Sequence, residues 1–147
     1  MADDTFSSIL SVEIAASINR VWDLMTDIHS WPDWHPLLEA VSGELTAGSR
    51  IVSRLRSGQE QSAEVLVADL DEPFRFVYAA GDRAGVIGWH CWTLTELSPG
   101  TTRADNEERL SGPAIQSLTD EMRAGIVAQQ RAIAAAFKRA AEAGGQP

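Results

Sequence analysis

His90, Asn106 and Glu108 are the residues of this chain whose types and spacing could do chemistry. They lie in the stretch 86–112, VIGWHCWTLTELSPGTTRADNEERLSG, which reads as two strands joined at a Ser-Pro-Gly turn, residues 98–100. On the second strand Arg103, Asp105, Glu107 and Arg109 are all charged, so that parity faces water. Side chains alternate across a strand, which turns Ala104, Asn106, Glu108 and Leu110 inward. A three-residue loop at the turn then sets His90 opposite Glu108, Trp92 opposite Asn106 and Leu94 opposite Ala104. The inward face therefore carries an imidazole, a carboxylate and an amide among apolar side chains. A plain core excludes such groups, whereas a polar-lined cavity uses them. An imidazole beside a carboxylate can exchange protons with a bound molecule, or anchor its polar end. The competing reading is a satisfied hydrogen-bonded pair that only pins strand register. No Ser, Cys or Lys nucleophile stands beside the pair, and Cys91 and Trp89 fall on the outer parity.

Aromatic residues extend the candidate site. Trp34, Phe74, Phe76, Tyr78 and Trp92 could together line a pocket for a flat or acyl ligand, although each one singly reads as ordinary core. Neither metal nor cofactor is expected. His29, His35 and His90 lack the close spacing of a zinc site, and Cys91 is the single cysteine. The acidic turn at Asp69, Asp71 and Glu72 is not a calcium loop. The glycines of 81–88 lack the Lys-Ser/Thr that a phosphate-cradling loop requires. Gln129 and Gln130 border the apolar stripe of the last helix, where a solvated or sheet-edge position is the simpler reading.

The elements that must position these groups follow from periodicity. Residues 6–16 alternate, with Leu10, Val12 and Ile14 on one face. Ser17 is a plausible N-cap for a short helix carrying Ile18, Val21, Trp22 and Met25. Asp27 could cap a second short helix over 28–33, where Pro32 fits only near the start or at the end. Strands follow at 37–45, 50–56 and 62–70, the last with Val65 and Val67 inward. Another at 74–80 places Phe74, Phe76 and Tyr78 on one face, and the hairpin comes next. Six to seven strands with short polar turns imply antiparallel neighbours. Pro113 then opens one long helix over 113–143, its stripe running through Ile115, Leu118, Met122, Ile126, Ile133 and Phe137 to a stop at Gly144 and Gly145. Thirty residues at 1.5 Å rise give roughly 45 Å, so the helix must lie across the sheet and the sheet must curve around it. The fold class is α+β, a single domain over 1–147, with room between sheet and helix.

Composition narrows the function classes. The 147 residues are 44% hydrophobic and 22% charged, with a formal net charge of −9. A phosphate backbone would be repelled, so nucleic acid is excluded as a partner, and an anionic membrane surface is disfavoured for the same reason. One cysteine forbids an internal disulfide and fits a reducing compartment. The start, MADDTFSS, is acidic and lacks the apolar core of a signal peptide, and no apolar run is long enough to span a bilayer. A cytoplasmic protein is expected, with a homodimer as one open arrangement.

Several short motifs, in order, resemble the START-like (SRPBCC) superfamily, the helix-grip proteins that include polyketide cyclase/dehydrase-like and Bet v 1-like members. Ile14-Ala15-Ala16, Val21-Trp22, Asp27 and Trp34-His35-Pro36 are similar to that family's opening strand, VW helix, Asp and W-N-P, with His35 where Asn is usual. Gly88-Trp89-His90-Cys91-Trp92, Thr102-Arg103 and Glu108-Arg109-Leu110-Ser111-Gly112 resemble G-x-H-x-F, T-R and E-R-F-S-G, with Trp92 and Leu110 replacing the two Phe. Ala136-Phe137-Lys138 and Ala140-Ala141-Glu142 resemble its A-L-K-x-A-E helix end. The resemblance implies a helix-grip fold enclosing a cavity for a small hydrophobic molecule such as a polyketide, aromatic metabolite or lipid. The expected ligand-binding set is Trp34, Phe74, Phe76, Tyr78, His90, Trp92, Asn106 and Glu108. Two alternatives stay open: a polyketide cyclase/dehydratase-like enzyme with His90 and Glu108 as acid and base, and an interaction module using the outer sheet face.

Overall fold

A computed structural model describes residues 5–144. Its elements are β1 (Thr5–Ile14), α1 (Ile18–Thr26), a 3₁₀ helix (Ile28–Asp33), β2 (Leu38–Ser42), β3 (Arg50–Leu55), β4 (Glu60–Asp71), β5 (Arg75–Gly81), β6 (Ile87–Ser98), β7 (Thr101–Ser111), a second 3₁₀ helix (Pro113–Ser117) and α2 (Asp120–Gly144). The seven strands form one antiparallel sheet in the order β1-β7-β6-β5-β4-β3-β2. Meander connections keep neighbours adjacent from β2 to β7, and β1 closes onto β7. The curved sheet and long C-terminal helix form the helix-grip architecture.

The hairpin register matches the expectation by a different route. His90 pairs with Glu108, Trp92 with Asn106 and Leu94 with Ala104. The turn, however, is shorter than three residues: Ser98 already pairs with Thr101. A bulge between Glu96 and Ser98 absorbs the extra residue, so the inward parity below it is kept. A second bulge has the opposite effect. In β4 the register shifts between Val65 and Val67, so Val67 pairs with Ala79 and Ala68 with Tyr78. Directly paired residues share a face. Val65 is buried as expected, but Val67 lies on the outer face with Ala79, and the inner face continues through Ala68.

The expected single C-terminal helix is broken. Gly112 has φ +126°, where a Cβ would collide with the Gly85 carbonyl, and Pro113 opens only the short 3₁₀ helix. Leu118 is extended. Thr119 then caps α2: the Met122 N–H donates to Thr119 Oγ1 at 3.1 Å, and Asp120 and Glu121 occupy the first turn. The helix thus has 25 residues, about 37 Å. Gly145 lies outside the described residues, as do the first four residues, on which part of the signal-peptide expectation rests.

α2 is anchored at its C-terminal half. Phe137 and Ala141 are buried in the main core with Ile14, Val21, Trp22, Phe76 and Leu94. Glu142 accepts from the Ala15 N–H at 2.9 Å and from Lys138 Nζ at 2.6 Å, while Lys138 Nζ also reaches the Glu13 carbonyl at 2.8 Å. These contacts, the backbone amide first, hold the Glu142 carboxyl below its ordinary pKa. The first half of the helix is much barer, and Met122 is 53% exposed, contrary to its place on the expected stripe. The helix is therefore packed tightly over its C-terminal half and loosely over its first turns.

Candidate functional site

Three neighbouring strands build the floor of the space beneath α2 as rows of paired residues. One row runs Tyr78–His90–Glu108, with Phe76–Trp92–Asn106 on one side and Ala80–Gly88–Leu110 on the other. Antiparallel pairing brings each row to one face, so the sequence itself sets aromatic, ionisable and small residues in three successive strips. The ceiling comes from α1, the first 3₁₀ helix and α2. Between them lies a cavity of about 110 Å³, with Trp31, Trp34, Phe76, Tyr78, Trp92 and Phe137 among its walls. Met25, Ile133, His35, His90 and Glu108 complete it.

His90 and Glu108 are joined directly, Nδ1 to Oε2. Neither is fully enclosed: the side chains are 34% and 26% exposed. A neutral imidazole that donates its Nδ1–H to Glu108 carries its lone pair on Nε2. That Nε2 points toward Gly88, whose Cβ position would lie 3.5 Å away. The Tyr78 ring stacks on the imidazole, with centroids 4.4 Å apart at 22°. Burial, and next the negative charge of Glu108, raises the Tyr78 hydroxyl far above its ordinary pKa, so it stays a donor.

Of the expected binding set, Trp34, Phe76, Tyr78, His90, Trp92 and Glu108 meet at this cavity. Phe74 does not. Its N–H closes a turn on the Asp71 carbonyl at 2.7 Å, so the strand begins only at Arg75 and alternation cannot be extended back to it. The ring is 53% exposed. Asn106 points inward, but it is spent inside the fold. It is 1% exposed, its Nδ2 donates to the Cys91 carbonyl at 3.2 Å, and its Oδ1 accepts from Gln130 Nε2 at 2.7 Å. Gln130 also donates to the Ser8 carbonyl at 3.1 Å. This corrects the solvated reading of Gln130: it is a buried tie between α2, β7 and β1, and Asn106 lies outside the cavity lining.

Sequence reasoning missed the wall residues Met25, Trp31, His35, Ile133 and Phe137 as site residues. Helical periodicity signalled Met25, Ile133 and Phe137 as inward-facing, with nothing to distinguish cavity from core. Trp31 and His35 lie in or next to a 3₁₀ helix, which has no long-range periodicity to read. The Leu37 N–H donates to His35 Nδ1 at 3.1 Å. Burial, and next the Arg56 guanidinium, lowers the His35 pKa from 6.5 to about 4. The unfolded chain binds this proton below pH 6.5 and the folded chain only below about 4. Stability is therefore expected to fall as pH drops through that window, by on the order of 1 kcal/mol because the ring is only half-buried. Urea midpoints at pH 7.5 and 5.0 check this, and His35→Asn should lose less than the wild type on acidification.

The outer face accounts for Trp89 within the chain. Arg109 sits over its ring at 4.7 Å, and its Nε1 donates to Ser111 Oγ at 3.3 Å. Cys91 is half-buried beside it on the same face. Among the described residues no three His, Cys, Asp or Glu converge on a metal site, and no helix is long and apolar enough to cross a membrane.

A family model described as polyketide cyclase/dehydrase and lipid transport matches residues 6–142. Among solved structures, the chain is similar to Zhui aromatase/cyclase from Streptomyces sp. R1128, with TM-score 0.72 and 19% identity over 94% of each chain. It is similar to the di-domain ARO/CYC BexL at TM-score 0.70 and 22% identity, covering 98% of this chain and 52% of that one. The chain thus spans about half the length of the di-domain protein. Norcoclaurine synthase from Thalictrum gives TM-score 0.67 and 13% identity over 96% of each chain. At these identities the likenesses establish the fold. No curated protein matches by sequence.

Proposed function

This chain belongs to the polyketide cyclase/dehydrase and lipid transport family, and on that premise we propose that it binds a small, flat hydrophobic molecule between sheet and α2. The observation that carries the reading is the aromatic cavity with the His90–Glu108 pair in its wall. The cavity holds about 110 Å³, well below the ~300–1,000 Å³ of drug-sized sites. It seats a ring or two. The ligand's remainder would pass His90 onto the Gly88–Leu110 strip, where an open groove of about 910 Å³ begins. Apolar burial at roughly 25 cal/mol per Å² supplies the affinity, before the costs of binding.

Native mass spectrometry of protein purified from its own host tests this reading. A copurified small molecule is expected, and added naphthalene-type probes should quench the fluorescence of Trp31, Trp34 and Trp92. An empty protein whose fluorescence ignores such probes would refute it.

A second reading has its own support. The His90 Nε2 lone pair faces the place where a bound ligand would pass, and Glu108 stabilises the imidazolium that forms when Nε2 takes a proton. That pairing suits proton abstraction next to a carbonyl and return of the proton to a departing hydroxyl, the steps of a cyclase or dehydratase.

A further inference from the structure

The unpaired polar atoms around the cavity are mostly donors. The Trp31 indole N–H is spent on the Met25 carbonyl at 3.0 Å. The Trp34 Nε1 is buried and has no acceptor. The Tyr78 hydroxyl remains protonated. On the acceptor side, Glu108 Oε2 is already engaged by His90, and the His90 Nε2 lone pair lies toward Gly88. An occupant that brings acceptors would complete this wall, whereas a hydrocarbon would leave it unpaired.

His35 is the donor whose orientation is locked. Its Nδ1 accepts the Leu37 N–H, so in the neutral ring the proton must sit on Nε2. Nδ1 is turned to the backbone and the ring lines the cavity, which leaves Nε2–H as the one N–H it can offer a bound molecule. Burial and Arg56 keep the ring neutral at physiological pH, which suits an uncharged partner better than a carboxylate. We infer that His35 Nε2–H donates a hydrogen bond to a carbonyl oxygen of the bound molecule, fixing which end of it enters first. This rests on the ligand-binding reading above and adds the chemistry of the buried end: a ketone-type acceptor rather than a bare hydrocarbon or a carboxylate.

Two probes of equal skeleton test it, 1-indanone and indane, titrated against the full chain. The wild type should bind both and prefer the ketone by about tenfold. His35→Phe keeps a ring and removes the donor, so the ratio of ketone to indane affinity should fall to about twofold or less. His35→Asn restores an N–H and should recover most of the preference. Wild-type ketone preference persisting in His35→Phe would overturn the inference while leaving the cavity reading intact. Binding of neither probe would overturn both. Should His35→Phe not fold, the carbonyl stretch of ¹³C-labelled 1-indanone bound to the wild type decides. A shift to lower frequency than in alkane supports the hydrogen bond, and an unshifted band overturns it. Long-range ¹⁵N correlation of the free protein must also show His35 protonated at Nε2; protonation at Nδ1 instead would sink the argument.

Discussion

Substituting His90→Ala or Glu108→Gln is expected to slow proton transfer on a bound ketone by about 10²-fold or more, with ligand affinity little changed. The reaction to follow is deuterium uptake at the carbon next to the carbonyl of 1-indanone in D₂O, by NMR. On the cyclase reading proposed above, His90 would supply the base at Nε2, and Glu108 would hold Nδ1–H and the positive charge that develops. Glutamine keeps a hydrogen-bond acceptor but removes the charge, so it isolates the electrostatic part of the pair. Residues acting as one unit are not additive: the double variant should cost about as much as the worse single one. Multiplying losses would mean that the two groups act separately. No wild-type exchange above buffer, with tight binding retained, would leave a carrier and discard the enzyme reading.

Four charged residues on one parity of β7 revealed its water-facing side, and the partner strand followed from the turn. The reading survived a wrong loop length because the bulge at Leu97 compensated the register. The same device defeated the reading of β4, where nothing in the sequence marks Leu66 as the extra residue and Val67 changes face. A bulge is settled by pairing with the neighbouring strand, and pairing is non-local. Phe74 failed for a related reason: alternation was carried across a turn that ends it. Asn106 was rightly turned inward, but its partner Gln130 is 24 residues away on a helix. Only the packed fold shows that Asn106 is taken up by Gln130 and the Cys91 carbonyl, while His90 and Glu108 line the cavity. The break before α2 was hidden because an apolar stripe runs through Ile115 and Leu118 without interruption, whereas the Thr119 cap is a local event of one hydroxyl.

The largest stability loss is expected at Phe137. Its side chain is 1% exposed, lies 5.2 Å from the Trp34 ring and 5.6 Å from the Trp92 ring, and is shared by the core and the cavity wall. Phe137→Ala should lower the unfolding free energy by about 3–5 kcal/mol, a large part of the ~5–15 kcal/mol of a typical domain. Phe74→Ala provides the contrast, since an exposed ring should cost within about 0.5 kcal/mol. Chemical denaturation of both variants measures the difference. The same change should enlarge the cavity, because rigid aromatic neighbours on the sheet and the Lys138–Glu142 clamp at the helix end limit collapse. An enlarged apolar cavity takes up small aromatics. Benzene should therefore restabilise Phe137→Ala by about 2.7 kcal/mol at a hundredfold excess over its Kd, and the wild type by less. A loss under about 1 kcal/mol, or no rescue by benzene, would mean that α2 settles onto the sheet when the ring is removed. The space beneath it would then be a gap held open by Phe137 alone, not a site built into the fold.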